Sequence, residues 1–470
     1  MAVYPFLWIR SISPLAHKNE LVMHTSPQDV HKVLGKHMLT DGFDMVLDLE
    51  NSHGAHLRDA KTGTDYVDFF TFFASNPLGM NHPKMAGHEA FRKEMHDVAI
   101  HNPSNSDVYT QQMADFVETF SRVGIPDYLP HSFFVAGGGL AVENAMKTAF
   151  DWKVQKNFQK GYRDEVGTMV MHFEHAFHGR TGYTMSVTNT EPTKVKYFPK
   201  FEWPRVSSPA MHYPETPEVI ADVEHREKLA IAQAERFFME YPDEIACILI
   251  EPIQAEGGDR HFRPEFHKEL RRLADENEAL LIYDEVQTGV GLSGKFWCHE
   301  HYVQPDIIAF GKKAQVCGIL AGRRIEDIDT HVFAVSSRIN STWGGNLVDM
   351  VRFKRILEVI EEDNLVDHVA SMGEVLLEKI QGFAQKHEFI SNPRGKGLMC
   401  AMDLPDTHSR NAVVKECMHN ELLILPCGPN TIRFRPPLSV TQEELHKGLE
   451  ILEASYETAL GKCPFIKGRG

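Results

Sequence analysis

The sequence predicts an α/β protein: a large domain built on a mostly parallel central sheet, with a smaller α+β unit beside it. Three observations carry this. Thr168–Phe173, Ala246–Ile250, Ala279–Tyr283 and Ile307–Phe310 are short, nearly continuous apolar runs, the pattern of strands buried on both faces. An amphipathic helical stretch around Phe266, Leu270 and Leu273 lies between two of them. The last part of the chain is instead helix-rich, with a short strand near Thr431–Phe434 and a closing helix.

Taken in order, Ser26-Pro27 opens a helix, with Ser26 as N-cap, Pro27 at the first helical position and Asp29 at the third. Met45–Leu49 and Tyr66–Phe70 have the composition of strands. His131–Ala136 is a strand running into glycines, and Leu140–Lys156 follows as a helix with Val142, Ala145, Met146 and Ala149 on its apolar side. The expected organisation is an extension over 1–22, a segment over 23–75 belonging to the small domain, a large domain over 76–345, and a C-terminal small domain over 346–470.

Composition narrows the function. The chain has 470 residues, 42% hydrophobic and 24% charged, ordinary for a protein with a sizeable core. Its net charge of -16, from 65 acids against 49 basic residues, argues against nucleic-acid partners. An anionic ligand must be met by a local cluster of cations and N–H groups. The seven cysteines (Cys247, Cys298, Cys317, Cys400, Cys417, Cys427, Cys463) are scattered and odd in number, which points to a reducing, cytoplasmic compartment rather than a disulfide or zinc framework. No apolar run approaches the ~20 residues of a membrane span. Ala2–Ile9 is apolar but short, with no basic residue ahead of it, unlike a secretory signal. Arg10, Ser11, Ser13 and Lys18 precede the first acid, Glu20, a weak echo of a transit peptide; the plain extension is preferred over mitochondrial import.

The chemistry-bearing segments follow the apolar runs. In LLIYDEVQTGVGLSG a strand ends in Asp284-Glu285. An acid there can hold a positive heteroatom such as a protonated pyridine nitrogen, or can simply cap a loop. The same stretch holds a formal G-x-G-x-x-G at Gly289–Gly294. A dinucleotide site is rejected because the glycines do not directly follow the strand and open no amphipathic helix. In PDIIAFGKK a strand runs into Gly311, Lys312 and Lys313; a lysine in a partly dry site can lose its proton and form a Schiff base, and two solvated loop lysines are the plain alternative. In FVAGGGLAVENAMK, strand, glycine turn and helix start make an anion cradle of N–H groups or an ordinary turn; without a Lys-Ser/Thr ending, a small phosphate suits it better than a nucleotide. FEHAFHGRTGYT supplies Phe177 and Arg180. Its His172, His175 and His178 lack acidic co-ligands, so no metal is expected. EPIQAEGG, STWGGN and TIRFRPP complete the set, the last with two arginines that are either surface charges or a carboxylate clamp.

Together these segments resemble the class III aminotransferases, pyridoxal-phosphate (PLP) enzymes of fold type I. The long family signature matches Leu281–Gly318, and the resemblance runs from about residue 24 to near the C-terminus. It implies that Lys312 carries PLP, that Asp284 binds the pyridine N–H, that Gln287 meets the ring hydroxyl and that Phe177 stacks on the ring. Gly138 and Gly139 would give N–H groups to the phosphate; Gly139 stands where many relatives have Ser or Ala. Thr342 would reach the phosphate of the neighbouring subunit of a homodimer. GLAVENAMKTAFDWK, FHGRTGYTMSVTN, FGKKAQVCG and RINSTWGGN bring the chain nearest to the members that act on L-lysine. That implies transfer of the ε-amino group of L-lysine to 2-oxoglutarate, giving glutamate and 2-aminoadipate 6-semialdehyde, which cyclises to piperideine-6-carboxylate. Arg180 would hold the distal carboxylate, Arg433 the carboxylate beside the reacting carbon, and Glu256 would mask Arg433 when lysine is bound. Asn340 belongs to the expected substrate pocket. The alternatives are an ω-aminotransferase for ornithine or 4-aminobutyrate, a PLP isomerase, racemase or decarboxylase, and a binding protein without catalysis. The Glu256/Arg433 pair argues against the second, and the presence of Lys312 and Asp284 against the third.

Overall fold

A computed structural model describes residues 24–461; the extension over 1–22 and Cys463 lie outside the described residues. The chain starts as a 3-10 turn over Pro27–Asp29, continued by a helix over Val30–Leu34. Ser26 is the N-cap, yet its Oγ donates to the Asp29 carboxylate at 2.7 Å instead of accepting a backbone N–H. Strands β1 (His56–Arg58) and β2 (Asp65–Asp68) then pair antiparallel. The expected strand at Met45–Leu49 does not form; only Leu47 makes a bridge, to Asp59. Around that bridge the Asp48 N–H donates to the Arg58 carbonyl at 2.9 Å and the Ala60 N–H to the Val46 carbonyl at 2.7 Å, while Val46 donates its N–H to the Asp59 side chain at 2.9 Å.

Strands β3 (His131–Val135), β4 (Met169–Phe173), β5 (Arg205–Val206), β6 (Ile245–Ile250), β7 (Leu280–Asp284), β8 (Ile307–Phe310) and β9 (Cys317–Ala321) form a seven-stranded sheet ordered β3-β9-β8-β7-β6-β4-β5. Only β9 runs against its neighbours, β3 and β8; the remaining pairings are parallel. The sequence reading missed β9, whose short CGILA run follows the lysines too closely to stand out as a separate strand. The continuous apolar character of the strands has a direct cause. Leu281, Tyr283, Ile308 and Phe310 enter one core cluster, while Leu280, Ile282, Ile307 and Ala309 enter the other. Helix Gly138–Gln159 covers the second face with Ala141, Val142, Ala145, Met146, Ala149 and Trp152. Helix Pro264–Glu276 covers the first with Phe266, Leu270 and Leu273. Each buried Val, Leu, Ile, Phe or Met side chain among these contributes about 1.5–3 kcal/mol.

Beyond the sheet, β10 (Ser391–Lys396), β11 (Met399–Asp403), β12 (Leu422–Leu423), β13 (Leu425–Cys427) and β14 (Thr431–Phe434) follow. Four of them make an antiparallel sheet, β10-β11-β14-β13. β12 instead pairs in parallel with β2, Leu422 opposite Val67, so the N-terminal segment and the C-terminal part share a sheet. Just past β14, Arg435 donates two hydrogen bonds to Asp259, at 2.9 and 2.5 Å, with both side chains fully buried. That pair ties the small antiparallel sheet to the loop after β6.

Candidate active site

Strands β3, β4, β6, β7 and β8 point the same way, so the loops after them gather at one edge of the sheet, where open α/β sheets bind ligands. After β3 the chain turns through Gly137, at φ 116°, into the helix that begins at Gly138. The N–H groups of that first turn have no acceptor within the helix, and no side chain caps them. The packing here is close. A Cβ on Gly138 would lie 3.0 Å from the Val286 side chain, and one on Gly139 would lie 3.3 Å from Thr181.

After β8 come the two lysines, and the fold separates them. Lys313 is buried and donates to the carbonyl oxygens of Gln287 (2.6 Å) and Ala74 (3.3 Å). Lys312, at φ 50°, lines a cavity of about 220 Å³ instead. Burial pushes its ammonium down from the ordinary lysine value, against the pull of Asp284.

Gly138, Gly139, Phe177, Asp284, Gln287, Glu256 and Lys312 share the lining of this cavity, so one site gathers seven of the residues singled out in the sequence. A larger hollow of about 570 Å³ beside Arg122, Tyr128, Trp297 and Tyr302 is lined by none of them. Asp284 ends β7 and is 4% exposed. Its carboxylate accepts from the Val286 N–H at 3.0 Å and from His178 Nδ1 at 2.8 Å. His178 Nε2 is buried without a partner. Glu251, at the end of β6, accepts the N–H groups of Phe177 and Ala255 at 3.0 and 3.1 Å. Burial pushes its carboxyl up to about 7, with His178 opposing and Asp284 reinforcing the shift. Arg435 Nε donates to Gln287 Oε1 at 3.1 Å, which leaves the Gln287 amide nitrogen free to donate.

Arg433 is 1% exposed, with Phe73 stacked 5.8 Å from its guanidinium. Its Nη2 donates to Glu256 Oε2 at 2.8 Å, while Nε and Nη1 have no partner. The other oxygen, Glu256 Oε1, accepts from Lys194 Nζ at 2.7 Å. Burial raises the Glu256 carboxyl, but Arg433 and Lys194 outweigh it and hold it at about 2. Arg180, Asn340 and Thr342 stand apart: each is exposed and none lines the cavity. The sequence reading missed His178 as the partner of Asp284, having weighed it only as a metal ligand, and missed Lys194 altogether. The first had a signal, its place beside Phe177 just after a strand. The second had none, because Lys194 lies 62 residues before Glu256.

A lysine and an acid lining one small cavity, with an N–H cradle at a helix start, define a site for a phosphorylated carbonyl cofactor. The sequence model of the family "Aminotransferase class-III" matches residues 40–455, and the chain belongs to this family. It is 50% identical over 433 residues to an L-lysine-epsilon aminotransferase of Mycobacterium tuberculosis, covering 92% of this chain and 96% of the relative. An L-lysine-epsilon aminotransferase of Amycolatopsis lactamdurans is also 50% identical over 433 residues, covering 91% and 95%. A solved structure of a lysine aminotransferase from M. tuberculosis in its internal aldimine form matches at a TM-score of 0.91 and 49% identity, covering 93% of this chain and all of that one (100%).

The cofactor is pyridoxal phosphate, as throughout the class. The residues in place fit it. The free N–H groups of the first helical turn suit a phosphate, the Asp284 carboxylate suits a protonated ring nitrogen, and the Gln287 amide is oriented as a donor by Arg435. No helix of the described residues is long and apolar enough to cross a membrane.

Proposed function

We propose that this chain is an aminotransferase that moves the ε-amino group of L-lysine to 2-oxoglutarate, giving L-glutamate and 2-aminoadipate 6-semialdehyde, which closes to piperideine-6-carboxylate. Bound pyridoxal phosphate supplies an electron sink that lets a proton leave the carbon bearing the transferred nitrogen. Lys312 Nζ, which lines the cavity just after β8, takes and returns that proton. Asp284, fixed by His178 and the Val286 N–H, holds the charge of the ring nitrogen. Gly138 and Gly139 receive the phosphate, Gln287 the ring hydroxyl, and Phe177 stacks on the ring.

The observation that carries the substrate reading is the Glu256–Arg433 pair at 2.8 Å, with two guanidinium nitrogens left unpartnered. Lysine brings a bare CH2–NH2 group to the reacting end, and 2-oxoglutarate brings a carboxylate beside its carbonyl. With lysine, Glu256 masks the buried cation, which is costly to leave unpaired. With 2-oxoglutarate, Glu256 swings aside and the carboxylate takes the open fork of Arg433. Arg180 is the residue for the distal carboxylate in both cases, and Asn340 belongs to the outer part of the substrate pocket; both are exposed and lie outside the cavity lining itself. The 50% identity to L-lysine-epsilon aminotransferases supports lysine over other ω-amines.

The working unit is a homodimer in which Thr342 reaches the phosphate of the neighbouring site. Thr342 and Trp343 are exposed in the single chain, which supports a partner at this surface. The scattered cysteines support a cytoplasmic location. An amine-donor screen with 2-oxoglutarate as acceptor tests the reading: L-lysine is expected to lead, with bleaching of the visible cofactor band before acceptor is added. Preference for ornithine or 4-aminobutyrate would overturn it.

A further inference from the structure

We infer that Lys194 is the residue that receives Glu256 when it leaves Arg433, and so sets how well the enzyme accepts its dicarboxylic substrate. The inference rests on the Glu256–Arg433 switch proposed above. Its basis is the way one carboxylate is shared. Glu256 gives Oε2 to Arg433 at 2.8 Å and Oε1 to Lys194 at 2.7 Å. Lys194 ends a short 3-10 turn, Pro192–Lys194, with its side chain 11% exposed. Its ammonium sits 5.2 Å over the Phe177 ring and also meets the exposed Glu191 at 3.1 Å.

The two substrate states need different things from Glu256. In the masked state the carboxylate has two cationic partners, Arg433 and Lys194. In the open state Arg433 belongs to the incoming carboxylate, and Glu256 must keep its charge in a pocket where its side chain is only 23% exposed. An unpaired carboxylate there carries a desolvation penalty. Lys194 already holds the second oxygen, so Glu256 can pivot about that contact without losing its last partner. Removing Lys194 leaves the masked state its arginine but leaves the open state nothing. The effect is therefore one-sided, on the half-reaction that needs the open state. Lys194 acts through Glu256 and is a positioning residue.

The test uses the full-length holoenzyme, its cofactor content checked by absorbance, with the lysine and 2-oxoglutarate half-reactions followed separately in single turnover. Lys194→Met is expected to lower kcat/KM for 2-oxoglutarate about tenfold or more while changing the lysine half-reaction by less than about threefold, the scale of a lost charge-assisted hydrogen bond. Lys194→Arg is expected to restore most of the loss. In a Glu256→Gln background, where no charge needs a new partner, Lys194→Met is expected to lose its selectivity. Equal slowing of both half-reactions by Lys194→Met, or a loss confined to lysine, overturns the inference. The two readings can fail separately. If Glu256→Gln shifts the balance between the half-reactions and Lys194→Met does not, only the role of Lys194 falls. If Glu256→Gln shifts nothing, the switch falls and takes this role with it.

Discussion

At the scale of single residues the site is a set of charges, each held by a named neighbour. Asp284 is the most constrained of them: nearly buried, it has one oxygen on the Val286 N–H and the other on His178. Asp284→Asn keeps the shape but cannot supply the negative charge opposite a protonated ring nitrogen. The variant is expected to retain pyridoxal phosphate and to lose activity by at least ~100-fold, since it removes stabilisation of charge developing in the transition state. Steady-state kinetics on cofactor-replete protein checks this; near-normal turnover would remove Asp284 from its role. Arg433 shows why charge partners, rather than residue types, decide function here. The sequence reading left its two C-terminal arginines open between surface charges and a carboxylate clamp. The fold buries both and gives them different work: Arg435 pins Asp259 and orients Gln287, while Arg433 keeps two nitrogens unpartnered beside the cavity.

At the scale of elements, the unusual piece is the turn over Thr71–Ala74, whose residues have φ of 40°, 52°, 59° and 63°. A left-handed turn without glycine costs roughly 1–2 kcal/mol per residue, so something must hold it. Asp68 Oδ1 accepts from Phe70 N at 2.9 Å and Thr71 N at 2.7 Å, and Thr71 Oγ1 donates to the Arg435 carbonyl at 2.7 Å. The turn delivers Phe73 over Arg433 and the Ala74 carbonyl to Lys313, so strain sits beside the chemistry. Burial pushes the Asp68 carboxyl up to about 6 despite the two N–H donors, and its Oδ2 has no partner. A folded-state pKa above the unfolded value gives stability that is full below the unfolded pKa and is lost as pH rises through about 6. Asp68→Asn keeps the acceptor without the charge. It is expected to raise Tm at about pH 8 and to change little at about pH 4. Asp68→Ala is expected to cost about 1–3 kcal/mol at about pH 4, through the two orphaned N–H groups, and less at about pH 8, where it also removes the buried charge. Thermal unfolding at the two pH values decides; a lower Tm for the Asn variant at the higher pH would mean that the charge itself holds the turn. No sequence pattern marked this turn, because left-handed runs of Thr and Phe are set by what surrounds them. The strands of the large sheet were legible because burial on both faces imposes a continuous apolar run, whereas Met45–Leu49 pairs through a single bridge, its backbone bonds limited to the Asp48 N–H and the Val46 carbonyl while the Val46 N–H turns to the Asp59 side chain.

At the scale of the whole molecule, parallel strands bring residues more than a hundred positions apart to one edge, and that edge is where the chemistry collects. Against a net charge of -16, the cationic group placed to meet a dicarboxylic acid is Arg433, whose Nε and Nη1 are unpartnered among the described residues. The class of the site was legible through the family resemblance that these motifs carry together; taken singly, Asp284, Lys312 and the glycine cradle each left a plain alternative open. Its substrate logic was legible only in part, because the partners of Glu256 come from separate loops whose meeting depends on packing. In the proposed reaction the ε-nitrogen of lysine, and not the α-nitrogen, is the one transferred. The most direct test supplies the holoenzyme and 2-oxoglutarate with L-lysine carrying heavy nitrogen at one position or the other, and reads the product glutamate by mass spectrometry. Label in glutamate from the ε-labelled substrate alone is the expected result; label arriving from the α position, or no glutamate formed from lysine at all, would contradict it.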